Sequence, residues 1–287
     1  MSNIFKNKRA IQIWGICAAA VSVLSVVLRT LSILFFYDRD IGYYKAGAIL
    51  PVIAQVLPLL AVAVALIFVI VPSLRPQVDT STDGAKISSG AIFPAVGFSA
   101  YAVLYAVTVI GASYFDAREL MLPIAIAVCL VLGAVFFWLT AFEKKLGTWL
   151  YVLSGLGAIL SLAYFLTSSH FDNAVQINAP NKTVFHLAII FSMLFTVCEM
   201  RNGLPQRKPF FHLFGATATV IFALTSSVPS ILCYFLGKMP YSYSLFYEDG
   251  VLLFLAIYAG LWLFNTCRQR TDTSTADPQE QFSQEAL

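Results

Sequence analysis

Residues 22–58 read SVLSVVLRTLSILFFYDRDIGYYKAGAILPVIAQVLP and set the pattern for the whole chain. Two apolar arms flank a charged and aromatic turn, and each arm belongs to an apolar run of the roughly 20 residues that a membrane helix needs. The first arm contains Arg29, and the second holds Gln55 between Pro51 and Pro58. This stretch therefore predicts a helical hairpin that enters and leaves a bilayer, with a cation on its first arm.

The composition extends this prediction to the whole chain of 287 residues. Hydrophobic residues make up 59% and charged residues 11%, with a mean hydropathy of +0.79, whereas soluble domains carry about 25% charged residues. Such a chain cannot cover a globular surface with polar groups, so we expect an all-α, polytopic integral protein of the cell membrane. The net charge of +3 then reflects basic loops beside membrane helices and not a nucleic-acid partner.

Apolar runs recur along the sequence and predict eight transmembrane helices, at about 11–36, 46–71, 91–113, 120–141, 148–169, 184–200, 212–236 and 248–266. They form one domain, residues 1–266, followed by a polar segment, residues 267–287, that we predict to be a disordered cytoplasmic tail. The first and fifth runs both end in an aromatic residue followed by aspartate. This similarity suggests a parallel repeat of residues 1–142 and 143–266, a plan that some transporters use, although alternate loops of any eight-helix protein offer such coincidences.

Two separate signals predict the orientation of the chain. Most Lys and Arg residues outside the runs fall in the segments on the N-terminal side, and such residues favour the cytoplasm. The four tryptophans, Trp14, Trp138, Trp149 and Trp262, lie near the corresponding ends of their helices, where indole rings prefer the interface. Both signals predict that the two termini are cytoplasmic.

Polar residues collect in four of the predicted helices and give a candidate solute-binding site. In the first helix, Ser22, Ser25, Arg29 and Ser32 are three or four residues apart and therefore share one face. Adding polar residues of similar depth from the second, third and seventh helices gives the candidate set Arg29, Ser25, Gln55, Tyr101, Tyr105, Ser226 and Ser230. Pro58 and Pro229 each leave a backbone carbonyl without its helical donor, and interrupted helices around polar groups point to a membrane binding site. The alternative is that hydroxyls bond within their own helix and prolines only bend it.

Arg29 has two interpretations. A charge at mid-helix costs at least ~2.5–3.5 kcal/mol and is by default a functional hypothesis, which favours a polar cavity. Because residues 10–28 alone are long enough to cross a bilayer, Arg29 could instead snorkel to the outer interface. An arginine buried in the bundle needs a partner, and depth predicts Gln55, Tyr105, Ser226, Glu248 or Asp249. An acidic partner would form a structural ion pair, whereas a neutral partner would leave positive potential for an anionic solute.

Catalytic and metal-binding patterns are weak. The sequence has no HExxH, GxSxG or phosphate-loop motif, and all five cysteines lie in or at the ends of apolar runs. We therefore predict no catalytic residue, no metal site and no cofactor, and we expect that the protein is not an enzyme. Glu199 is interpreted as an interfacial acid beside the basic Arg201, and His212 as an isolated residue on the inner side.

Three functions follow from this pattern. The first is a small-solute transporter or permease with an outward-facing polar cavity around Arg29, whose partners are the lipid bilayer and a small anionic or carboxylate solute. The second is a non-catalytic membrane sensor or assembly partner, and a remote third is a membrane enzyme that acts on a lipid-linked substrate. A chamber that holds Arg29, Gln55 and Ser226 would favour transport. A close-packed contact at Ser22 and Ser25 would favour assembly.

Overall fold

The computed structural model describes residues 8–38, 43–71, 88–111, 121–143, 147–172, 179–202, 209–238 and 243–272. These residues form eight helices, which are α1 Lys8–Phe36, α2 Ile49–Ile70, α3 Ile92–Gly111, α4 Met121–Ala141, α5 Thr148–Phe171, α6 Pro180–Asn202, α7 Pro209–Phe235 and α8 Tyr243–Asp272. A 3-10 turn, Ser88–Ala91, leads into α3. Two short antiparallel strands, β1 Tyr37–Asp38 and β2 Tyr43–Tyr44, form a hairpin between α1 and α2.

The all-α prediction and the predicted number of spans are confirmed for the described residues. All eight helices are long and apolar enough to cross a membrane, which is consistent with a multi-pass membrane protein. The largest differences in boundaries are in α8, which begins at Tyr243 and not at residue 248 and ends at Asp272 and not at residue 266. Helix α6 begins at Pro180 and not at residue 184, because proline at the first helical position needs no backbone donor. Helix α8 continues to Asp272, and the rest of the predicted tail lies outside the described residues.

Successive helices run in opposite directions, so the bundle has two ends. We call the end where α1 begins the N-terminal side, and the end that carries the β1–β2 strands the hairpin side. The indole Nε1 of Trp14, early in α1, donates to Thr217 Oγ1 of α7 at 2.9 Å, which brings the beginnings of these two helices together on the N-terminal side. Late α1 and early α6 meet on the hairpin side, through Arg29 and Asn181.

Helix α7 lies at the centre of the bundle, where it packs against α1, α2, α6 and α8. Of the residues in its most apolar stretch, 67% are buried inside the protein, the largest fraction for any of the eight spans. Helix α2 is peripheral and buries only a stripe at helical spacing, which consists of Pro51, Ala54, Pro58, Val62, Ala65 and Val69. Both helices continue unbroken through their internal prolines, Pro58 and Pro229. The helix interruptions expected from these prolines therefore do not occur, and each proline removes only one backbone donor.

Two glycines bring α4 and α5 into close contact. A Cβ atom added at Gly133 would lie 3.0 Å from the Cα of Ala158. One added at Gly157 would overlap the side chain of Leu132 and lie 3.1 Å from the carbonyl oxygen of Cys129. Small residues permit this kind of backbone approach in membrane bundles, so the α4–α5 contact depends on these two positions.

The predicted orientation can be tested by labelling single cysteines at positions 84 and 175 in a variant without the five natural cysteines. Both positions lie outside the described residues, in the segments between α2 and α3 and between α5 and α6. In intact cells we expect a membrane-impermeant thiol reagent to label position 175 and to leave position 84 unlabelled. After permeabilisation both should react. Labelling of position 84 alone would reverse the orientation, and equal labelling of both in intact cells would contradict the alternating topology.

Candidate functional site

The polar face of α1 points into the bundle. Its four members are each at most 1% exposed, and they are Ser22, Ser25, Arg29 and Ser32. The opposite face is apolar and exposed, with Leu24, Val27 and Leu31 among its residues. The hydroxyls of Ser22 and Ser32 donate to carbonyls one turn earlier, whereas Ser25 Oγ has no hydrogen-bond partner within the described part of the chain. The 3–4 spacing thus correctly identified the buried side of this helix.

Arg29 is covered by protein and is hydrogen-bonded to a neutral residue. Its Nη2 atom donates to Asn181 Oδ1 at 2.9 Å and, at 3.5 Å, to the carbonyl oxygen of the same residue. The Tyr44 hydroxyl donates to the same Oδ1 atom at 3.0 Å. Because Arg29 is 1% exposed, the side chain does not reach solvent in this structure. Its Nε and Nη1 atoms have no hydrogen-bond partner among the described residues.

Asn181 is the second residue of α6, so the guanidinium lies beside the first turn of a long helix. The first-turn amides of any helix have no carbonyl partner within that helix, and this end carries a partial positive charge. Lys182, in the same turn, is a further cation, and its Nζ atom donates to the carbonyl oxygens of His170 at 2.8 Å and Asp172 at 3.3 Å. Arg29 and the α6 terminus therefore add positive potential to the same place.

Two tyrosines of the β1–β2 hairpin cover this site from the hairpin side. The rings of Tyr37 and Tyr44 meet edge to face with centroids 5.6 Å apart. Burial raises the pKa of both hydroxyls above 10.0, against the opposing effect of the Arg29 charge. Both tyrosines therefore stay protonated at neutral pH, and Tyr44 remains a donor to Asn181.

None of the partners predicted for Arg29 is the one observed. Arg29 hydrogen-bonds to Asn181 and to no other described residue. Asn181 was missed because the predicted sixth span began at residue 184, which placed this asparagine in a loop. A proline at residue 180 followed by polar residues is a helix-start pattern, and that signal could have placed Asn181 at the depth of Arg29.

The predicted site residues fall into two groups. On α7, Ser226 and Ser230 are buried and share a face with Cys233. The thiol of Cys233 interacts electrostatically with Arg29. Ser25 and these two serines therefore lie on the facing sides of α1 and α7. Gln55 of α2 is half-buried, and no hydrogen bond described joins it to Arg29. Tyr101 and Tyr105 belong to a second group.

The second group surrounds two buried acids at the start of α8. Glu248 and Asp249 are 1% and 0% exposed. The Tyr101 hydroxyl donates to Glu248 Oε1 at 3.4 Å, and the Tyr101 ring stacks on Tyr105 with centroids 6.2 Å apart. Asp172, which follows α5, interacts electrostatically with Glu248. The hairpin side thus holds a positive group and a negative group near one another, without a described hydrogen bond between Arg29 and Glu248.

A third polar group, on the N-terminal side, was not expected. His212 Nε2 lies 2.9 Å from Glu199 Oε2, and the two residues are 2% and 8% exposed. The interpretation of His212 as isolated is therefore wrong, and Glu199 contacts this histidine as well as having Arg201 nearby in sequence. Glu199 lies three residues before the end of α6 and His212 three residues after the start of α7. Antiparallel helices joined by a short loop bring such symmetric positions together, and this register could have predicted the pair.

Comparisons of this chain with protein-family models, with curated proteins and with solved structures give no match. Among the residues that the structure describes, no set of three or more His, Cys, Asp or Glu side chains is placed to hold a metal ion. The functional argument therefore depends on the three polar groups and on what each can bind.

Proposed function

We propose that the protein is a membrane transporter or permease for a small solute that carries a carboxylate, and that Arg29 binds this carboxylate. The observation that carries the proposal is the buried guanidinium with a neutral partner. Of its three nitrogens, Nη2 contacts Asn181, while Nε and Nη1 are without a partner among the described residues.

The cost of burying a charge supports an anionic ligand. An ion removed from water without a counter-ion carries a penalty of several kcal/mol, and the amide oxygen of Asn181 supplies a dipole but no opposite charge. The unpartnered Nε and Nη1 atoms lie on two different edges of the planar guanidinium. A carboxylate can contact either edge, a planar donor geometry that arginine offers and lysine does not. Binding would also neutralise the site.

The surroundings of Arg29 favour a small anion. The first turn of α6 contributes positive potential and backbone donors, as helix termini do at many anion sites. Ser25 has a buried hydroxyl without a described partner, and Ser226 and Ser230 are buried on the facing helix. The β1–β2 hairpin covers the site on one side only, so an opening of Tyr37 and Tyr44 away from Asn181 would connect it to the hairpin side.

The close-packed contact at Ser22 and Ser25 that was expected of an assembly partner is present, but it lies within this chain. The stripe that contains Ser22 and Ser25 packs inside the chain, where α1 contacts α2 and α7. That stripe is therefore not available to another subunit. The exposed faces of α1 and α2 consist of large aliphatic side chains such as Leu24, Leu59 and Leu60, which suit contact with lipid chains.

A panel of small anions tests the proposal on the purified protein. We expect thermal unfolding in detergent to shift upward, in a saturable way, with at least one of acetate, lactate, succinate and glutamate, relative to chloride at equal ionic strength. At 100 times Kd, binding to the folded state alone stabilises by about 2.7 kcal/mol. Uptake of the stabilising anion into proteoliposomes should exceed that of protein-free vesicles.

The two measurements separate the possible outcomes. Stabilisation without uptake would identify a sensor that shares this binding site. If no carboxylate stabilises the protein more than chloride does, the anion site is wrong.

A further inference from the structure

Glu199 and His212 form a buried acid–base pair on the side of the bundle away from Arg29. The two side chains come from adjacent helices, α6 and α7, and their closest atoms, Oε2 and Nε2, are 2.9 Å apart. The ring of His212 lies against Trp262 of α8, with centroids 4.0 Å apart, and against Phe195 of α6 at 5.2 Å. Both polar side chains are therefore enclosed by aromatic surface.

The distance between the pair requires a shared proton. A carboxylate oxygen and an imidazole nitrogen at 2.9 Å repel each other unless one of them carries the hydrogen that joins them. With one proton the pair is electrically neutral, either as carboxylate and imidazolium or as carboxylic acid and imidazole. With no proton it has a net charge of −1, and with two protons +1. A buried site of low dielectric favours the neutral form.

The groups around the pair do not replace that proton. From α5, the Tyr151 hydroxyl lies 3.5 Å from the Glu199 carbonyl oxygen, and from α8 the Tyr258 hydroxyl hydrogen-bonds to Glu199. On α6 itself, Cys198 is buried and Arg201 is partly exposed. From α6 and α8, the rings against His212 are those of Phe195 and Trp262. The neutral hydroxyls can stabilise a carboxylate but carry no charge that would replace the proton between Glu199 and His212.

Helices α6 and α7 connect this pair to the proposed solute site. Asn181, the partner of Arg29, and Glu199 lie at opposite ends of α6. Cys233 and His212 lie at opposite ends of α7, and Cys233 interacts electrostatically with Arg29. A tilt of this helix pair would change both sites together, and coupling of that kind is reciprocal.

We propose that the Glu199–His212 pair is a proton-binding site that couples solute movement to proton movement. This inference rests on the proposed transport function. In the closed arrangement the pair holds one proton. When the N-terminal side opens, water hydrates the separated carboxylate and imidazole, the proton passes to water as hydronium, and the pair is left with a charge of −1. Reclosing requires uptake of one proton, which restores the neutral pair. Solute movement is coupled to net proton movement when this second proton comes from the hairpin side and the first one left on the N-terminal side.

Trp262 offers a direct readout of this proton, independent of any solute. An imidazolium against an indole quenches its fluorescence more strongly than a neutral imidazole does, and the two rings attract through the cation–π interaction. We would replace Trp14, Trp138 and Trp149 by phenylalanine and follow the fluorescence of Trp262 between pH 4.5 and pH 9. The expected result is a rise in fluorescence with a single midpoint as the pair loses its proton.

Substitutions at Glu199 and His212 test whether the pH dependence of Trp262 fluorescence comes from this pair. In Glu199→Gln the imidazolium loses its counter-charge, so the fluorescence profile of the parent should not be retained. His212→Gln should abolish the pH dependence, and His212→Asn serves the same purpose if the first variant does not fold. Glu143→Gln, at the end of α4 on the same side of the bundle, is the control and should leave the midpoint unchanged. A flat profile in the parent, or the same midpoint in Glu199→Gln, would overturn the proton site.

A second experiment, uptake under a pH gradient, tests whether solute movement is coupled to proton movement. Uptake of the carboxylate that stabilises the protein should increase at least fivefold under an imposed pH gradient in the parent and show no response in Glu199→Gln. Uptake that ignores the gradient in the parent would overturn the coupling while transport stands. A Trp262 titration with no uptake of any carboxylate would instead refute transport, and with it the coupling, and leave a proton-binding pair.

Discussion

Replacing Arg29 by leucine should abolish stabilisation by carboxylates and leave the protein at least as resistant to unfolding as the parent. The leucine removes a buried charge whose only hydrogen-bonded partner among the described residues is a neutral amide, so a desolvation penalty disappears with it. Asn181 and Tyr44 retain their mutual hydrogen bond of 3.0 Å. Each hydrogen bond lost to a charged group is worth about 1.5–3 kcal/mol, so losing two should weaken binding at least a hundredfold. Thermal unfolding with and without the anion measures both effects.

Arg29→Lys separates the charge from the shape of the guanidinium. Lysine keeps the positive charge but lacks the planar fork that contacts a carboxylate with two parallel bonds, so we expect weaker binding, by about tenfold, and slower uptake with unchanged expression. Arg118→Leu, in the segment between α3 and α4, is the matched control and should behave as the parent. If Arg29→Leu binds and transports the anion normally, Arg29 has no part in recognition.

Gly157→Leu should prevent the bundle from assembling. A Cβ at this position already overlaps Leu132, and it would also lie 3.4 Å from the backbone nitrogen of Gly133. The neighbouring backbone cannot move away without separating α4 from α5. We expect the leucine variant to aggregate or be degraded, seen as the loss of the monodisperse peak in size-exclusion chromatography.

Gly157→Ala is the graded version of this test. Extra volume in a packed contact costs typically about 1–3 kcal/mol, and a lowered midpoint of thermal unfolding should reveal it. Gly147→Ala is the matched control, because an added Cβ there has no atom within 4 Å, so its effect should stay within about 0.5 kcal/mol. Equal stability of the two alanine variants would show that α4 and α5 can separate at little cost.

The helices could be predicted from the sequence because the length and apolarity of each run are local properties. The run around Arg29 also revealed which side of α1 is buried, since Ser25 and Ser32 repeat at helical spacing. The rotation of one helix against another is not local. The depth of each residue along its helix did not reveal that Tyr101 faces Glu248 of α8 while Arg29 faces Asn181 of α6. These two contacts lie on the same side of the bundle, so their residues have similar depths.

The two contacts that sequence reasoning missed have different physical causes. Asn181 was assigned to a loop because polar residues at a helix start lower the local hydropathy, although they suit the first turn. Glu199 and His212 were treated singly, because each resembles an interfacial residue when its own run is considered alone. The antiparallel register of α6 and α7 joins them, and that register becomes visible only when the two helix ends are known.

The separation of 152 residues between Arg29 and Asn181 has a consequence for synthesis in the cell. Helix α1 enters the membrane before the ribosome has made its partner in α6, and during that interval the guanidinium has no amide to bind. The hydroxyls of Thr217 and Thr225 in α7 need no such partner, because they donate to carbonyls within that same helix. Arg29 therefore reaches its partner only after five further helices have been made.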